Sequence, residues 1–181
     1  FSRLEKKMKR IAQKFGNMAL VVYSLGLRSA LTYVIARLKN VVASRNRIVE
    51  ITAPQSMFPL GARLGSSDLD VFHQIYISRE YRDLTEDGVD PEWIIDCGAN
   101  VGFTTAYLAS IFREAKIIAL EPDPANFDLL KKNVAPWGDR VIPLLAGVWS
   151  SDGGLMLVRG EFGDGREWAT QTRIPRLDEE P

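Results

Sequence analysis

Hydrophobic positions in residues 93–145 follow two alternating patterns: short apolar runs of strand length, and longer stretches with helical spacing. They predict three strands and two intervening helices, in chain order Trp93–Cys97, 103–112, 117–120, 124–133 and 141–145. Alternating strands and helices of this length are typical of a parallel sheet with helices packed on its faces. We therefore predict an α/β fold with a Rossmann-like parallel sheet.

Residues 1–50 show only the helical pattern, in two successive sets of apolar residues: Leu4, Met8, Ile11 and Phe15, then Leu27, Leu31, Val34 and Leu38. This predicts a helical N-terminal extension. Residues 51–92 form a lead-in segment with turn residues and a short helix, for which we expect Asp68 as the N-cap. Residues 93–181 then contain the parallel sheet.

Charge divides the chain at the same boundary. Residues 1–50 carry 11 Lys/Arg against two acidic residues, whereas residues 51–181 carry 12 Lys/Arg against 21 acidic residues. The first interpretation of this basic arm is a helix that packs on the main domain with a solvated basic face. The alternatives are a peripheral helix on an anionic membrane surface or a phosphate-rich partner, and a signal peptide or membrane anchor.

Two residue counts limit the possible chemistry. One cysteine, Cys97, excludes an internal disulfide framework and fits a reducing, cytoplasmic compartment. With His73 as the single histidine, a structural zinc site built from His and Cys is excluded, and we expect no metal. We interpret Cys97 as a small core residue and His73 as structural.

A glycine turn joins the first predicted strand to its helix, in the stretch WIIDCGANVGFTTAYLA. Ligands in open parallel sheets bind beyond the carboxyl ends of the strands, where such turns lie. Gly98 leaves room for a ligand at the backbone, and Gly102 lets the helix lie close to the strand. Asn100 is the non-glycine residue best suited to a left-handed conformation. The alternative is a closely packed turn without a ligand.

An acidic residue, Glu121, ends the second predicted strand. An acid at this position can accept the hydroxyl hydrogens of a ribose. Asp123 fits the N-cap of the following helix and Pro124 its first turn, so Glu121 lies between a strand and a well-capped helix. We expect Glu121 to contribute little to stability, since it lies at a strand tip.

The spacing of the turn, G-x-N-x-G, differs from the dinucleotide pattern G-x-G-x-x-G. Asp96 at the strand end would repel a pyrophosphate but would attract a cationic amino-acid group. S-adenosyl-L-methionine carries such a group and also a ribose for Glu121. The residues therefore favour S-adenosyl-L-methionine as the cofactor.

The run WIIDCGANVGFTTAYLA, with IIALEPDPANFDLLKKN and the preceding LGSSDLDVFHQIYISREY, resembles the FkbM-type methyltransferases, a family of class I S-adenosylmethionine-dependent enzymes. The resemblance implies that four residues line the methionine end of the cofactor and a fifth holds the ribose: Asp96, Gly98, Asn100 and Gly102, then Glu121. It also implies O-methylation of a sugar or natural-product hydroxyl. We therefore expect a small-molecule or saccharide methyl acceptor and no nucleic-acid partner.

The family continues to a core strand with a K-x-D-x-E-G pattern, which the terminal IPRLDEEP does not contain. We expect residues 93–181 to be the N-terminal half of a methyltransferase domain, truncated at its C-terminus, with Asp178, Glu179 and Glu180 in a charged tail. Two other functions stay open: a non-catalytic remnant that only binds the cofactor, and an NAD-dependent oxidoreductase. The residues identify no catalytic base.

Overall fold

A computed structural model describes the backbone of residues 3–40, 47–86, 88–150, 154, 156–158 and 171–173. Its longer elements are, in chain order, α1 Arg3–Asn40, β1 Ile48–Ile51, β2 Leu60–Arg63, α2 Asp68–Phe72, α3 Asp83–Glu86, β3 Trp93–Cys97, α4 Phe103–Ile111, β4 Lys116–Leu120, α5 Pro124–Val134, β5 Val141–Leu144, β6 Met156–Val158 and β7 Gln171–Arg173. A π-helical turn, His73–Ile77, continues α2, and a 3₁₀ segment, Ala135–Arg140, follows α5. The predicted charged tail, with Asp178, Glu179 and Glu180, lies outside the described residues.

The centre of the fold is a parallel sheet with the strand order β3-β4-β5. Ile94 pairs with Ile117 across the first strand pair, and Ile117 with Val141 across the second. Helices α4 and α5 connect the strands, as the hydrophobic pattern predicts. The α/β class, the parallel sheet and the N-terminal helix are therefore confirmed.

An antiparallel hairpin of β1 and β2 belongs to the same hydrophobic core. Asn133 of α5 fixes it, since its amide accepts from the Gly61 N–H at 2.7 Å and donates to the Gly61 carbonyl at 3.0 Å. The predicted N-cap of α2 is wrong. Ser67 is the N-cap, and Asp68 is the first residue of the helix. The Asp68 carboxylate pairs with the Arg63 guanidinium at 2.9 Å.

The N-terminal helix α1 is broken at Gly26, whose φ of 72° and ψ of 164° are not helical. Two of its side chains contact the π-helical turn. Ser24 donates to the Ile77 carbonyl at 3.2 Å, and the Tyr33 hydroxyl lies 3.1 Å from Nδ1 of His73. Arg37 forms an ion pair with Asp70 of α2. Residues 18–40 of the helix therefore pack on the domain, as the first interpretation of the basic arm predicts, whereas the side chains of residues 3–17 lie outside the described part of the chain.

The two faces of the sheet differ in their exposure. Ile117 and Ala119 are fully buried on the face that α4 and α5 cover. Successive strand residues point to opposite faces, so Ile95 lies on the other face, where it is 63% exposed. Trp93 and Ile142 are exposed on this second face too. Among the described residues, this second face therefore presents apolar side chains without a covering element.

Matched alanine substitutions on neighbouring strands test this asymmetry. Ile117→Ala should lower the free energy of unfolding by about 2–5 kcal/mol, because it leaves a cavity in the covered face. Ile95→Ala should cost about 1 kcal/mol or less, because its side chain is mostly exposed. Denaturant unfolding of both variants measures the difference, and equal costs would show that the second face is covered as well.

Candidate functional site

The turn between β3 and α4 has the backbone that the sequence predicts. Gly98 and Gly102 have φ angles of 85° and 86°, and Asn100 adopts a φ of 52°. All three values lie in the left-handed region, which glycine and asparagine tolerate best. The expectation that Asn100 takes a left-handed conformation is confirmed.

The amide groups of this turn are engaged by the end of β4. The N–H groups of Gly98 and Ala99 both donate to the Leu120 carbonyl at 2.9 Å. The next N–H group, that of Asn100, donates to Oε2 of Glu121 at 2.8 Å. Three successive donors are therefore directed at the neighbouring strand rather than toward a ligand.

Glu121 is buried beneath the turn, with 5% of its surface exposed. Besides the Asn100 N–H, its carboxylate accepts from the Asp123 N–H at 2.9 Å and the Asn126 side-chain amide at 3.3 Å. Burial raises the pKa of Glu121, while the hydrogen bonds from Asp123 and Asn100 act in the opposite direction. The expectation that Glu121 contributes little to stability disagrees with this burial, because removing the side chain would leave three buried donors without a partner, one in the turn and two at the start of α5.

A pocket, here called the turn pocket, lies against the outer side of the turn. It is lined by Val71, Gln74, Ile75, Glu80, Tyr81, Gly98, Ala99, Asn100, Val101, Phe103 and Thr104. A Cβ atom added to Gly98 would meet nothing within 4 Å. Oδ1 of Asn100 is buried without a hydrogen-bond partner among the described residues.

The N-terminus of α4 borders the same pocket. Its N-cap is Gly102, which provides no side-chain hydrogen bond to the helix. The first N–H groups of a helix have no partner within the helix, and they carry the positive end of its dipole. Asn100, whose Oδ1 is buried without a partner among the described residues, therefore lines the turn pocket beside a helix end that favours negative charge.

Gly102 allows a close approach, as predicted, but the element that it approaches is not the predicted strand. A Cβ atom at this position would lie 2.7 Å from Cδ1 of Leu130 and 3.3 Å from Cγ1 of Val134. The close approach is therefore to α5 rather than to the preceding strand. Gly102 does not line the turn pocket, so its relation to a ligand is indirect.

Asp96 lies near the turn but opens onto a different depression. Its carboxylate accepts from the Thr105 hydroxyl at 2.6 Å, and burial raises its pKa. It lines an apolar groove with Tyr81, Leu84, Val89, Pro91, Ile94, Ile95, Cys97, Thr104, Leu108 and Phe112. Tyr81 and Thr104 line both depressions, so Asp96 and the turn pocket are neighbours.

The second wall of the turn pocket comes from the segment around the π-helical turn, which sequence reasoning missed. Gln74, Ile75 and Tyr81 lie there. A π-helical turn often marks a functional site, but its spacing cannot be separated from that of an ordinary short helix in the sequence. Its wider turn is visible only in the backbone hydrogen bonds, such as that from Ser78 N–H to the His73 carbonyl at 2.9 Å.

The structure agrees with the predicted role of His73 but not with that of Cys97. His73 packs against Tyr33 of α1, which agrees with a structural role, and burial lowers its pKa. Cys97 is exposed on the uncovered face of the sheet, so its interpretation as a core residue is wrong. Among the described residues, no cluster of His, Cys, Asp or Glu has the arrangement of a metal site.

Comparison with known proteins identifies similarity to methyltransferases. The chain is 42% identical over 43 residues to the methyltransferase sdnD of Sordaria araneosa. The match covers 24% of this chain and 17% of that protein. No family model matches the chain, so membership of the FkbM-type family stays a prediction.

Among solved structures, a protein-L-isoaspartate O-methyltransferase superposes on the chain with a TM-score of 0.31 and 14% sequence identity. The superposition covers 78% of this chain and 42% of the other. A fit this loose carries no argument about function.

The two turn glycines provide a first test. Gly98→Ala should cost about 1–2 kcal/mol of stability, because alanine is strained at positive φ while its methyl group meets open space. Gly102→Ala should cost about 2–5 kcal/mol, because the same strain is joined by a clash with Leu130. Denaturant unfolding measures both, and equal costs would contradict the packing of Gly102 on α5.

Asp96→Asn tests the burial of the carboxylate through pH. A raised pKa in the folded state means that the stability contributed by the protonated group is complete below the usual value of 3.8 and is lost as pH rises through the raised value. The variant should therefore gain stability relative to the wild type between strongly acidic and neutral pH. Denaturant unfolding of the variant and the wild type, once at strongly acidic pH and once at neutral pH, measures this gain in the free energy of unfolding.

The matched control for this test is Asp139→Asn, which changes an exposed carboxylate. Because this side chain is exposed, its replacement should change the free energy of unfolding little at both pH values. The same pH-independent result for Asp96→Asn would mean that its carboxylate is as well hydrated in the folded protein as in the unfolded chain.

Proposed function

We propose that the turn pocket binds S-adenosyl-L-methionine and that the chain is part of a methyltransferase that acts on a hydroxyl group of a sugar or natural product. The observation that carries the proposal is the open space at Gly98 beside the buried, unpartnered Oδ1 of Asn100. The similarity to a methyltransferase supports the reaction class. The acceptor class follows from the resemblance to FkbM-type enzymes.

The residues of the turn pocket fit the methionine end of this cofactor. Oδ1 of Asn100 can accept a hydrogen bond from an ammonium group, since it has no partner among the described residues. The N-terminus of α4 favours a carboxylate close to it. The negative charge of Asp96 in the adjoining groove favours a cationic sulfonium over an anionic group.

Glu121 has fewer acceptor positions free for a ribose than the sequence suggests. A carboxylate has about four acceptor positions. Three are used by Asn100, Asp123 and Asn126. Glu121 does not itself line the turn pocket. We propose that its main role is to hold the turn in shape, and that its one remaining acceptor position meets a ribose hydroxyl.

The same geometry disfavours a dinucleotide. A pyrophosphate is bound by backbone N–H groups that point away from the sheet at a glycine turn. Here the N–H groups of Gly98, Ala99 and Asn100 donate to the end of β4 and its following residue. The turn therefore offers a pyrophosphate few donors, which argues against the NAD-dependent alternative.

Bound S-adenosyl-L-methionine would supply an electrophilic methyl group. The residues of this chain would bind and orient the cofactor: Asn100 at its amino group, α4 at its carboxylate and Glu121 at its ribose. The wall formed by Gln74 and Tyr81 would limit access of water on the opposite side. Ordering the reactants in this way is a major source of rate acceleration in methyl transfer.

Binding of S-adenosylhomocysteine to Gly98→Ala and Gly138→Ala tests the proposal. Gly138 also has a positive φ, 56°, and a Cβ atom added there would meet no described atom within 4 Å, so it matches Gly98 in the sign of φ and in free space. Titration calorimetry should show binding to the wild type and to Gly138→Ala. Gly98→Ala should bind about tenfold more weakly, because its methyl group would occupy space that the ligand needs.

NADH serves as the competing ligand in the same titration. Tighter binding of NADH than of S-adenosylhomocysteine would contradict the cofactor assignment. Equal affinity of Gly98→Ala and Gly138→Ala for S-adenosylhomocysteine would place the ligand elsewhere on the protein.

A further inference from the structure

The outer surface of α1 has a feature that the proposed site does not use. The stretch Met18–Asn40 is long and apolar enough to cross a membrane, yet only 28% of its most apolar part is buried. Length and composition alone do not distinguish a spanning helix from one that packs on a protein. The geometry of the helix makes this distinction.

The break at Gly26 divides the apolar stretch into two limbs. Met18 and Leu38 line one shared depression with Tyr33 and His73, although about 30 Å would separate them along a straight helix. The limbs are therefore folded toward each other. The longer limb, residues 27–40, is about 21 Å long, which is shorter than the ~30 Å hydrocarbon core of a bilayer. In this shape the apolar stretch 18–40 does not cross a bilayer as one straight helix.

One face of each limb is fixed to the domain. Val21 and Leu25 of the first limb and Ala30, Tyr33 and Ala36 of the second are buried in the shared core. Polar contacts from Ser24 and Arg37 add to this attachment. The buried faces are therefore not free to meet lipid.

The opposite face of the second limb is apolar and exposed. Leu27 is 76% exposed, and Leu31, Ile35 and Leu38 are exposed with it. At about 100° per residue these four side chains fall within an arc of about 80°. They form a continuous apolar stripe, here called the α1 stripe.

Positive charge borders the α1 stripe. Arg28 and Lys39 are both exposed. On the helical projection they lie next to Ile35, about 20–40° beyond the edge of the stripe. No acidic residue occurs in residues 18–40, and the preceding residues 3–17 contain six Lys/Arg against one Glu.

We propose that the α1 stripe docks on the surface of an anionic lipid bilayer, with the second limb lying in the plane of the membrane. Apolar side chains beside basic ones are the arrangement that binds an interface, because the leucines enter the acyl boundary while Arg28 and Lys39 meet lipid phosphates. The basic N-terminal residues add long-range attraction to negative lipids. A second copy of this chain would present the same positive charge, which disfavours self-association through this surface.

Vesicle sedimentation of the full chain tests the docking surface. The wild type should bind vesicles of phosphatidylcholine with phosphatidylserine at low salt, and binding should weaken as salt rises. Vesicles of phosphatidylcholine alone should bind it more weakly. Leu27→Ser with Leu31→Ser should reduce binding to the anionic vesicles by about tenfold or more, because both leucines lose their apolar contact with lipid.

The matched control is Leu84→Ser with Leu145→Ser, which changes two exposed leucines outside α1 and should leave binding intact. Arg28→Glu with Lys39→Glu should weaken binding to anionic vesicles while changing binding to neutral ones little. Failure of the wild type to bind anionic vesicles would overturn the proposal, and so would equal loss in the test and control pairs. It would also be overturned by a dimer that Leu27→Ser with Leu31→Ser dissociates, since a second copy would then cover the stripe.

Discussion

The buried carboxylate of Glu121 is the constraint on which the geometry of the site depends. It accepts one backbone N–H from the glycine turn at Asn100 and another from Asp123 at the start of α5. A buried carboxylate is costly unless donors surround it, and backbone donors are costly when left unpaired. The backbone N–H groups satisfy the carboxylate, and the carboxylate satisfies them. The turn and the start of α5 are therefore held in one relative position.

This constraint extends beyond the sheet through a chain of polar contacts. Asn126 donates to Glu121 at 3.3 Å and accepts from Arg63 at 2.8 Å, and Arg63 pairs in turn with Asp68 of α2. The hairpin, α2 and α5 are thereby fixed relative to the turn. Networks of this kind are worth most when every member is satisfied, because a single removal leaves other buried groups without partners. The two walls of the turn pocket are consequently positioned by one network.

The sequence predicts the central sheet well because its signals are local. Strand β3 begins and ends at the predicted residues Trp93–Cys97, and Asp123 caps α5 by accepting from the Ala125 N–H at 2.8 Å, as expected. The left-handed Asn100 is likewise set by its own residue type. These features need no knowledge of distant contacts.

Other features depend on contacts that no local pattern encodes. Glu121 can be buried because donors from two separate segments satisfy its carboxylate. Cys97 is exposed because it lies on the face of the sheet that no described element covers. The break in α1 depends on the dihedral angles of Gly26, while the apolar spacing on its two sides suggests helix throughout. A glycine inside a helical pattern is usually tolerated, so its break could not be predicted from spacing alone.

A column of packed aromatic rings links α1 to α4. Phe72 of α2 stacks on Tyr33 of α1 at a ring distance of 5.7 Å, and it meets Phe103 of α4 edge-on at the same distance. The aromatic column of Tyr33, Phe72 and Phe103 therefore connects α1 to the helix that borders the pocket. Closely packed rings of this kind resist relative displacement, since shifting one forces its neighbours off their contacts. If α1 lies on a bilayer as proposed, the turn pocket would be held at a fixed height above the lipid surface, one layer of the fold away.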